Sequence, residues 1–234
     1  MTLLALSTST PRASVALVEG DRVLATLSYD DPRGHAERIF SLVDDALTAA
    51  GRARADLRVV ACDVGPGSFT GVRIAVASAK GIALGLGVPL VGVVSLEAMA
   101  AHAREACAPH ALVVTAIDAK KDELYLAVYD GEAALLAPSH VPVAEVAGRV
   151  AAVVAGRPFV SVVDAPAFVG FAPGAERALV APPDACWIGR LAAARPPPDS
   201  AAAAAEVVPL YVRAPDAIPA FSGIERAFAM LPPR

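Results

Sequence analysis

Apolar residues dominate three short runs at the start of the chain, at 3–6, 14–18 and 22–28, each too short for a helix and bounded by turn residues. Such runs read as strands. Turns at Thr10-Pro11-Arg12 and Glu19-Gly20-Asp21 separate them, and strands this close in sequence pair antiparallel, as a meander. From 35 to 50 the pattern changes. Ile39, Leu42, Val43, Ala46, Leu47 and Ala50 share one helical face, and Gly51 ends the run. A strand at 57–62 leads through a glycine-rich turn into a helix at 70–86, closed by Gly87. A strand at 88–94 and a helix from Ser95, read as its cap, to about Cys107 follow.

The meander then returns. Ala116-Ile117-Asp118 matches Ala5-Leu6-Ser7, and Ala127 with Tyr129-Asp130-Gly131-Glu132 matches Ala16 with Val18-Glu19-Gly20-Asp21, at one constant offset with no gap. A helix at 143–155 and a strand at 159–163 repeat the order. Proline-rich turns bracket a short helix at 184–195, the 201–205 run is helix-prone, and 207–212 is extended. Beyond 214, Phe221, Ile224, Phe228 and Leu231 suit a short docked helix or a disordered end. Two meanders, each followed by alternating helices and strands, predict an α/β chain with two mixed sheets flanked by helices. That is the ribonuclease H-like half doubled in tandem, as in the actin-like and sugar-kinase-like ATPase superfamily. The halves are placed at 1–108, bearing the partner helices, and 109–234, a degenerate copy with a tail.

Composition narrows the function. Hydrophobic residues make up 56% and charged residues 19%, so the chain has core material to spare. Net charge is −4. Lys120-Lys121 and the spaced Arg52, Arg54 and Arg58 make no basic stripe, which disfavours direct nucleic-acid binding. Cys62, Cys107 and Cys186 form no CxxC and read as packing residues in a reducing compartment. The first residues lack the basic segment and apolar core of a signal peptide. Arg73 and Lys80 interrupt the longest apolar helix, so no membrane span and a cytoplasmic location are expected.

The strongest local motif is Val64-Gly65-Pro66-Gly67-Ser68-Phe69-Thr70-Gly71-Val72-Arg73-Ile74, between a strand and a helix, where exposed N–H groups often bind anions. It is not a P-loop, because Thr70 stands at the second glycine and no lysine follows. It is not a nucleophile elbow, because Pro66 and Thr70 flank Ser68 at the glycine places. A dinucleotide loop needs an acidic residue at the end of the next strand, which reads Val93-Val94-Ser95. The alternative is a structural turn in which Gly65, Pro66 and Gly67 shape the backbone and Thr70 caps the helix.

LALSTSTPRASVAL, HAERIFSLVDDAL, GPGSFTGVRIAVASAKGIALGLGVPLVGVVSLEAMA, AIDAKKDELYLAVY and VVPLYVR resemble, in order, the segments of the bacterial TsaB family, as far as about residue 213. GPGSFTGVRI is the most specific. The resemblance implies the doubled fold just derived. It implies a non-catalytic relative and partner of TsaD, the threonylcarbamoyl transferase acting on adenosine 37 of ANN-decoding tRNAs, working with TsaE. The expected partners are thus a TsaD-like transferase, a TsaE-like ATPase and, when alone, a second copy. Transfer RNA is met only through the complex. No cofactor is expected in this chain, with ATP and metal on TsaD.

The residues fit a silent subunit. Members commonly carry Asp where this chain has Ser7, a place where a carboxylate would hold hydrated magnesium. Asp118 is either functional or a turn carboxylate. TsaD binds metal through an HxxxH pair, but Ile39 follows His35 four residues on, and His102, His110 and His140 are isolated. Nothing in the sequence supports a peptidase. The runner-up function is an actin-like-fold enzyme, a kinase or TsaD-like transferase with its own nucleotide site. A third, resting on the glycine loop alone, is a dinucleotide-dependent oxidoreductase. The 70–86 helix is apolar on most of its circumference, which suits burial on two sides. Gly71, Arg73, Ile74, Ala75, Ser78, Ala79 and Ile82 on it, with His35, Ile39 and Val43 on the 35–50 helix, are the expected partner surface. Ala75 and Ala79, one turn apart, lie along one stripe with Gly71 before them, and the sequence does not say which side of the helix meets the sheet.

Overall fold

In the computed structural model, which describes residues 1–31, 34–107, 112–198 and 201–213, the predicted meander is β1 (Thr2–Ser7), β2 (Arg12–Glu19) and β3 (Arg22–Asp30). Then come α1 (His35–Ala50), β4 (Leu57–Asp63), α2 (Phe69–Leu86), β5 (Leu90–Val93) and α3 (Ser95–Ala106). The second half has β6 (Leu112–Lys120), β7 (Glu123–Asp130), β8 (Ala133–Pro142), α4 (Val143–Val154), β9 (Phe159–Val163) and β10 (Arg177–Val180). The last helix is α5 (Ala185–Ala193). His110 and the tail from 214 lie outside the described residues.

The first sheet runs β3-β2-β1-β4-β5 and the second β8-β7-β6-β9-β10, the same order twice. In each, the meander is antiparallel and the last two strands are parallel. The chain is therefore a doubled ribonuclease H-like α/β fold. β10 is a strand that the periodicity did not predict; four residues between Gly174 and Pro182 carry too little pattern.

Each sheet buries both faces. On the outer face of the first, Leu4, Leu6, Val15 and Leu17 meet Ile39, Val43 and Leu47 of α1 and Val72, Ala75, Val76 and Ala79 of α2. On its inner face, Leu3, Ala5, Ala16 and Val18 meet Ile188 and Ala192 of α5. In the second half, Val114, Ala116, Leu126 and Val128 pack outward on Val146 and Val150 of α4. Inward, Val113, Ile117 and Ala127 pack on Leu96, Met99 and Ala103 of α3. α3 and α5 touch each other between the sheets.

These faces correct the gapless match of the two halves. Ala5 is inward and Ala116 outward, so they are not equivalent, whereas Ala16 and Ala127 are both inward. Leu6 corresponds to Ala116 and Thr8 to Asp118. The extra residue sits at Ala119, where the β6–β7 register breaks between Asp118 and Lys120 while β1–β2 stays regular. A β-bulge inserts one residue and reverses the inside–outside alternation. Beyond it Lys121 (φ 56°) and Asp122 (φ 57°) make the two-residue left-handed turn favoured by hairpins.

Two caps also differ. Ser68, not Thr70, caps α2, its Oγ accepting from the Gly71 N–H at 3.3 Å. Val94 precedes α3, and Ser95 donates instead to Ser9 Oγ at 3.2 Å. By length and composition α2 would suffice to cross a bilayer, contrary to the sequence reading, with a mean hydropathy of 1.3. Here it lies on β4, with one side in the first core.

Candidate functional site: the interdomain cleft and the outer helices

A cleft of 1420 Å³ opens between the halves. The glycine loop and the first turns of α2 form one wall, and Asp118–Lys121, Asp164 and Pro166 form the other. Residues 210–213 line it as well.

The glycine loop spends its close approach within the chain. A Cβ on Gly67 would lie 2.3 Å from the Ser9 carbonyl oxygen, and one on Gly71 2.0 Å from that of Thr8. Ser68 N–H donates to Ser9 O at 2.6 Å, Thr8 Oγ1 donates to Gly71 O at 2.7 Å, and Ser95 N–H donates to Gly65 O at 2.9 Å. Gly65 takes φ +98°, next to the cis peptide to Pro66. The β1–β2 connection thus occupies the space that a phosphate-cradling loop leaves for its ligand. These contacts favour the structural-turn reading.

Beneath the loop lies a carboxylate that sequence reading missed. Asp63, at the end of β4, is fully buried, and Ser7 Oγ donates to it at 2.8 Å. The Thr8 and Ser9 N–H groups donate to it at 3.4 and 3.2 Å. Burial pushes this carboxyl above its ordinary value, and the hydrogen bonds pull the other way. Ser7 therefore serves Asp63. Asp164 follows β9 as Asp63 ends β4, and it accepts from the Asp118 N–H at 3.1 Å. Burial raises its pKa too. Comparing the residues that end the middle parallel strand of each half would have found the pair. The Asp118 side chain is held by Lys120.

The histidines play structural parts. His35 is buried between Thr10 O (3.1 Å) and Tyr29 Oη (3.2 Å). His102 stacks on Trp187, with ring centroids 5.3 Å apart, and His140 pairs with Glu123 at 2.8 Å. Among the described residues no three His, Cys, Asp or Glu side chains gather as a metal set.

The expected partner surface is brought together only in part. His35, Ile39, Val43, Gly71, Ala75, Ser78 and Ala79 are buried in their own half; Ile39, Val43, Ala75 and Ala79 seat α1 and α2 on the sheet, and His35 is held by Thr10 and Tyr29. Ala75 and Ala79, whose side of α2 the sequence left open, face the sheet. Arg73 is exposed, and Ile74 and Ile82 are half-buried. The outward side instead carries Phe40 (51% exposed) and Leu86 (37%), which line a groove of 420 Å³ between α1 and α2, and Leu84 (61%), which is exposed near the end of α2 outside that lining. Gly81 and Gly85 line that groove, and an added Cβ on either would meet nothing within 4 Å. Asp44 and Arg54, paired at 2.6 Å, also line it.

A family model described as TsaD, tRNA N6-adenosine threonylcarbamoyltransferase, matches residues 29–158. The chain is 35% identical over 225 residues to an uncharacterized protein of Mycobacterium tuberculosis H37Rv, covering 93% of this chain and 94% of that one. It is 43% identical over 130 residues to the tRNA threonylcarbamoyladenosine biosynthesis protein TsaB of Escherichia coli K12. That match spans 55% of either chain, so the similarity reaches about half the length of this relative. Two solved structures from Pseudomonas aeruginosa are 32% identical. One is described as an uncharacterized protein with similarity to peptidase YeaZ; it has a TM-score of 0.76 and covers 91% of this chain and 99% of that one. The other, described as YeaZ, has a TM-score of 0.73 and covers 90% and 99%. With the same sheet order in both halves and this likeness along nearly the whole described length, the chain belongs to the TsaB (YeaZ) family.

Proposed function

We propose that this chain is a non-catalytic, cytoplasmic subunit in the formation of threonylcarbamoyladenosine at adenosine 37 of tRNA. It binds a TsaD-like transferase and, together with a TsaE-like ATPase, organises it. ATP and metal belong to the transferase, and tRNA is met through the complex. The names of the relatives in Escherichia coli, Haemophilus influenzae and Bacillus subtilis support the pathway. The observation that carries the docking role is the outer face of α1 and α2. Large apolar side chains stand exposed there beside a groove whose glycines leave room for another backbone. A second copy takes that face when the chain is alone.

The test has two arms. Leu84→Glu and Phe40→Glu place a carboxylate in the apolar contact. Both variants keep the circular dichroism of the parent and lose association with the transferase in sedimentation. Unchanged association in both removes the face from the proposal. In a depleted strain, mass spectrometry of digested tRNA finds the modified nucleoside lost; normal levels refute the pathway itself. The width of the cleft favours a second reading, an actin-like-fold enzyme with its own nucleotide site. Calorimetric titration with ATP separates the two, because a silent subunit gives no stoichiometric heat.

A further inference from the structure

After α5 the chain returns across the first half as a strap. Residues 201–206 pack on α2, where Lys80 Nζ donates to Ala205 O at 3.0 Å. Val207 joins the outer core of the first sheet, and Leu210 N–H donates to Val64 O at 2.7 Å. Tyr211 leans on Phe69, with ring centroids 5.4 Å apart, and accepts from Arg73 Nε at 2.8 Å. Two residues later the partners belong to the other half. Arg213 Nη1 donates to Ala119 O at 3.2 Å and meets Glu123 Oε2 at 3.2 Å. The same carboxylate oxygen meets His140 Nε2 at 2.8 Å.

The sheet fixes this second anchor. Glu123 is the first residue of β7, directly after the left-handed turn at Lys121 and Asp122. His140 pairs with Tyr125 across β7 and β8, which sets it diagonal to Glu123 on the same face. The Ala119 carbonyl belongs to the bulge. One end of the strap is thus held by the apolar core of the first half. The other is held by the Arg213–Glu123 ion pair, with His140 beside it, the Glu123, His140 and Arg213 side chains being 23%, 22% and 21% exposed. Tyr211, Val212 and Arg213 line the cleft between.

We propose that residues 207–213 are a latch across the interdomain cleft, with Arg213 as its bolt and Glu123, His140 and the Ala119 carbonyl as its keeper. The apolar end stays seated on the first half. The ionic end sets how far the second half stands from it, and release of Arg213 lets the cleft widen. The halves also meet through α3 and α5, packed between the sheets, so rotation about those helices is the motion restrained.

The experiment uses the full chain with Cys107 and Cys186 changed to serine; Cys62 is buried and stays. Spin labels at Thr70→Cys and Ala167→Cys, both exposed, report the distance across the cleft by pulsed electron resonance. The parent gives one narrow distribution. Arg213→Ala and Glu123→Gln each add a longer population, while exchange of the Leu210 amide remains as slow as in the parent because its acceptor, Val64 O, belongs to the half on which that end of the strap is seated. Neither substitution touches the four hydrophobic clusters, so folding persists. Unchanged distances in both variants overturn the proposal. Loss of folding in both does so too, since the cluster would then be a requirement of the fold.

Discussion

Gly71→Ala pits helix propensity against packing at one atom. Alanine is worth at most about 1 kcal/mol over glycine inside a helix. At Gly71 the added Cβ falls 2.0 Å from the Thr8 carbonyl oxygen, 3.1 Å from its carbon and 3.3 Å from Ser68 Cβ. Ordinary contact begins near roughly 3.5 Å, so α2 and the β1–β2 connection must part by about 1.5 Å. The Thr8 Oγ1–Gly71 O bond of 2.7 Å and the Ser68 N–Ser9 O bond of 2.6 Å span the same seam and are strained together. Overpacking costs about 1–3 kcal/mol and a weakened hydrogen bond about 1 kcal/mol, which leaves a net loss of about 2 kcal/mol after the helical gain. In a chain of this size that lowers Tm by about 4–8 °C. Gly81→Ala is the control, because its Cβ meets nothing within 4 Å and the gain of up to about 1 kcal/mol stands alone. Urea titration of both variants, followed by circular dichroism, measures the difference. If Gly71→Ala is as stable as Gly81→Ala, the seam is not what demands glycine, and the loop must be reconsidered as a ligand cradle.

Ala75→Glu and Ala79→Glu, buried against the first sheet, abolish folding by circular dichroism, whereas Ala77→Glu on the exposed side leaves it intact; folded Ala75→Glu and Ala79→Glu would place the core elsewhere. Burial raises the Asp63 carboxyl above its ordinary 3.8, so this group favours the folded chain most below that value and loses its contribution as pH rises through the raised value. Asp63→Asn therefore flattens the decline of urea stability with rising pH, and an unchanged slope would show that Asp63 does not titrate as argued. Equilibrium dialysis of the purified chain against zinc finds no stoichiometric uptake; a tightly held ion would identify ligands beyond those considered.

Local pattern carried most of the architecture. The 35–50 helix has a clean apolar stripe and a closing glycine, and its bounds were legible to the residue. α2 was legible as a helix but not as an oriented one. With apolar residues around most of its circumference, periodicity cannot separate the side that meets β4 from the side that stays open. The side taken by Ala75 and Ala79 stays open in the sequence for that reason. The bulge at Ala119 has no glycine to mark it, so a gapless match satisfies the residues although it reverses the faces of β6. Ser95 looked like a cap because its partner, Ser9, lies 86 residues away. Asp63 was passed over for a similar reason. Its partners, at Ser7, Thr8 and Ser9, come from another strand's end and become neighbours only when β1 and β4 pair.

The placement of α5 bears on how the chain is made. Ala185 N–H donates to Ser14 Oγ at 2.8 Å, across 171 residues. Emerging from a ribosome, β1, β2 and β4 can pair early, but their inner face waits for Ile188 and Ala192. Until then Leu3, Val18 and Val59 lack the cover of α5. The second half is translated during that wait and can complete its outer core against α4 without help from the end of the chain. The half that is synthesised first is therefore finished last. A nascent chain stalled before residue 185 exposes a strand face of the kind that chaperones hold.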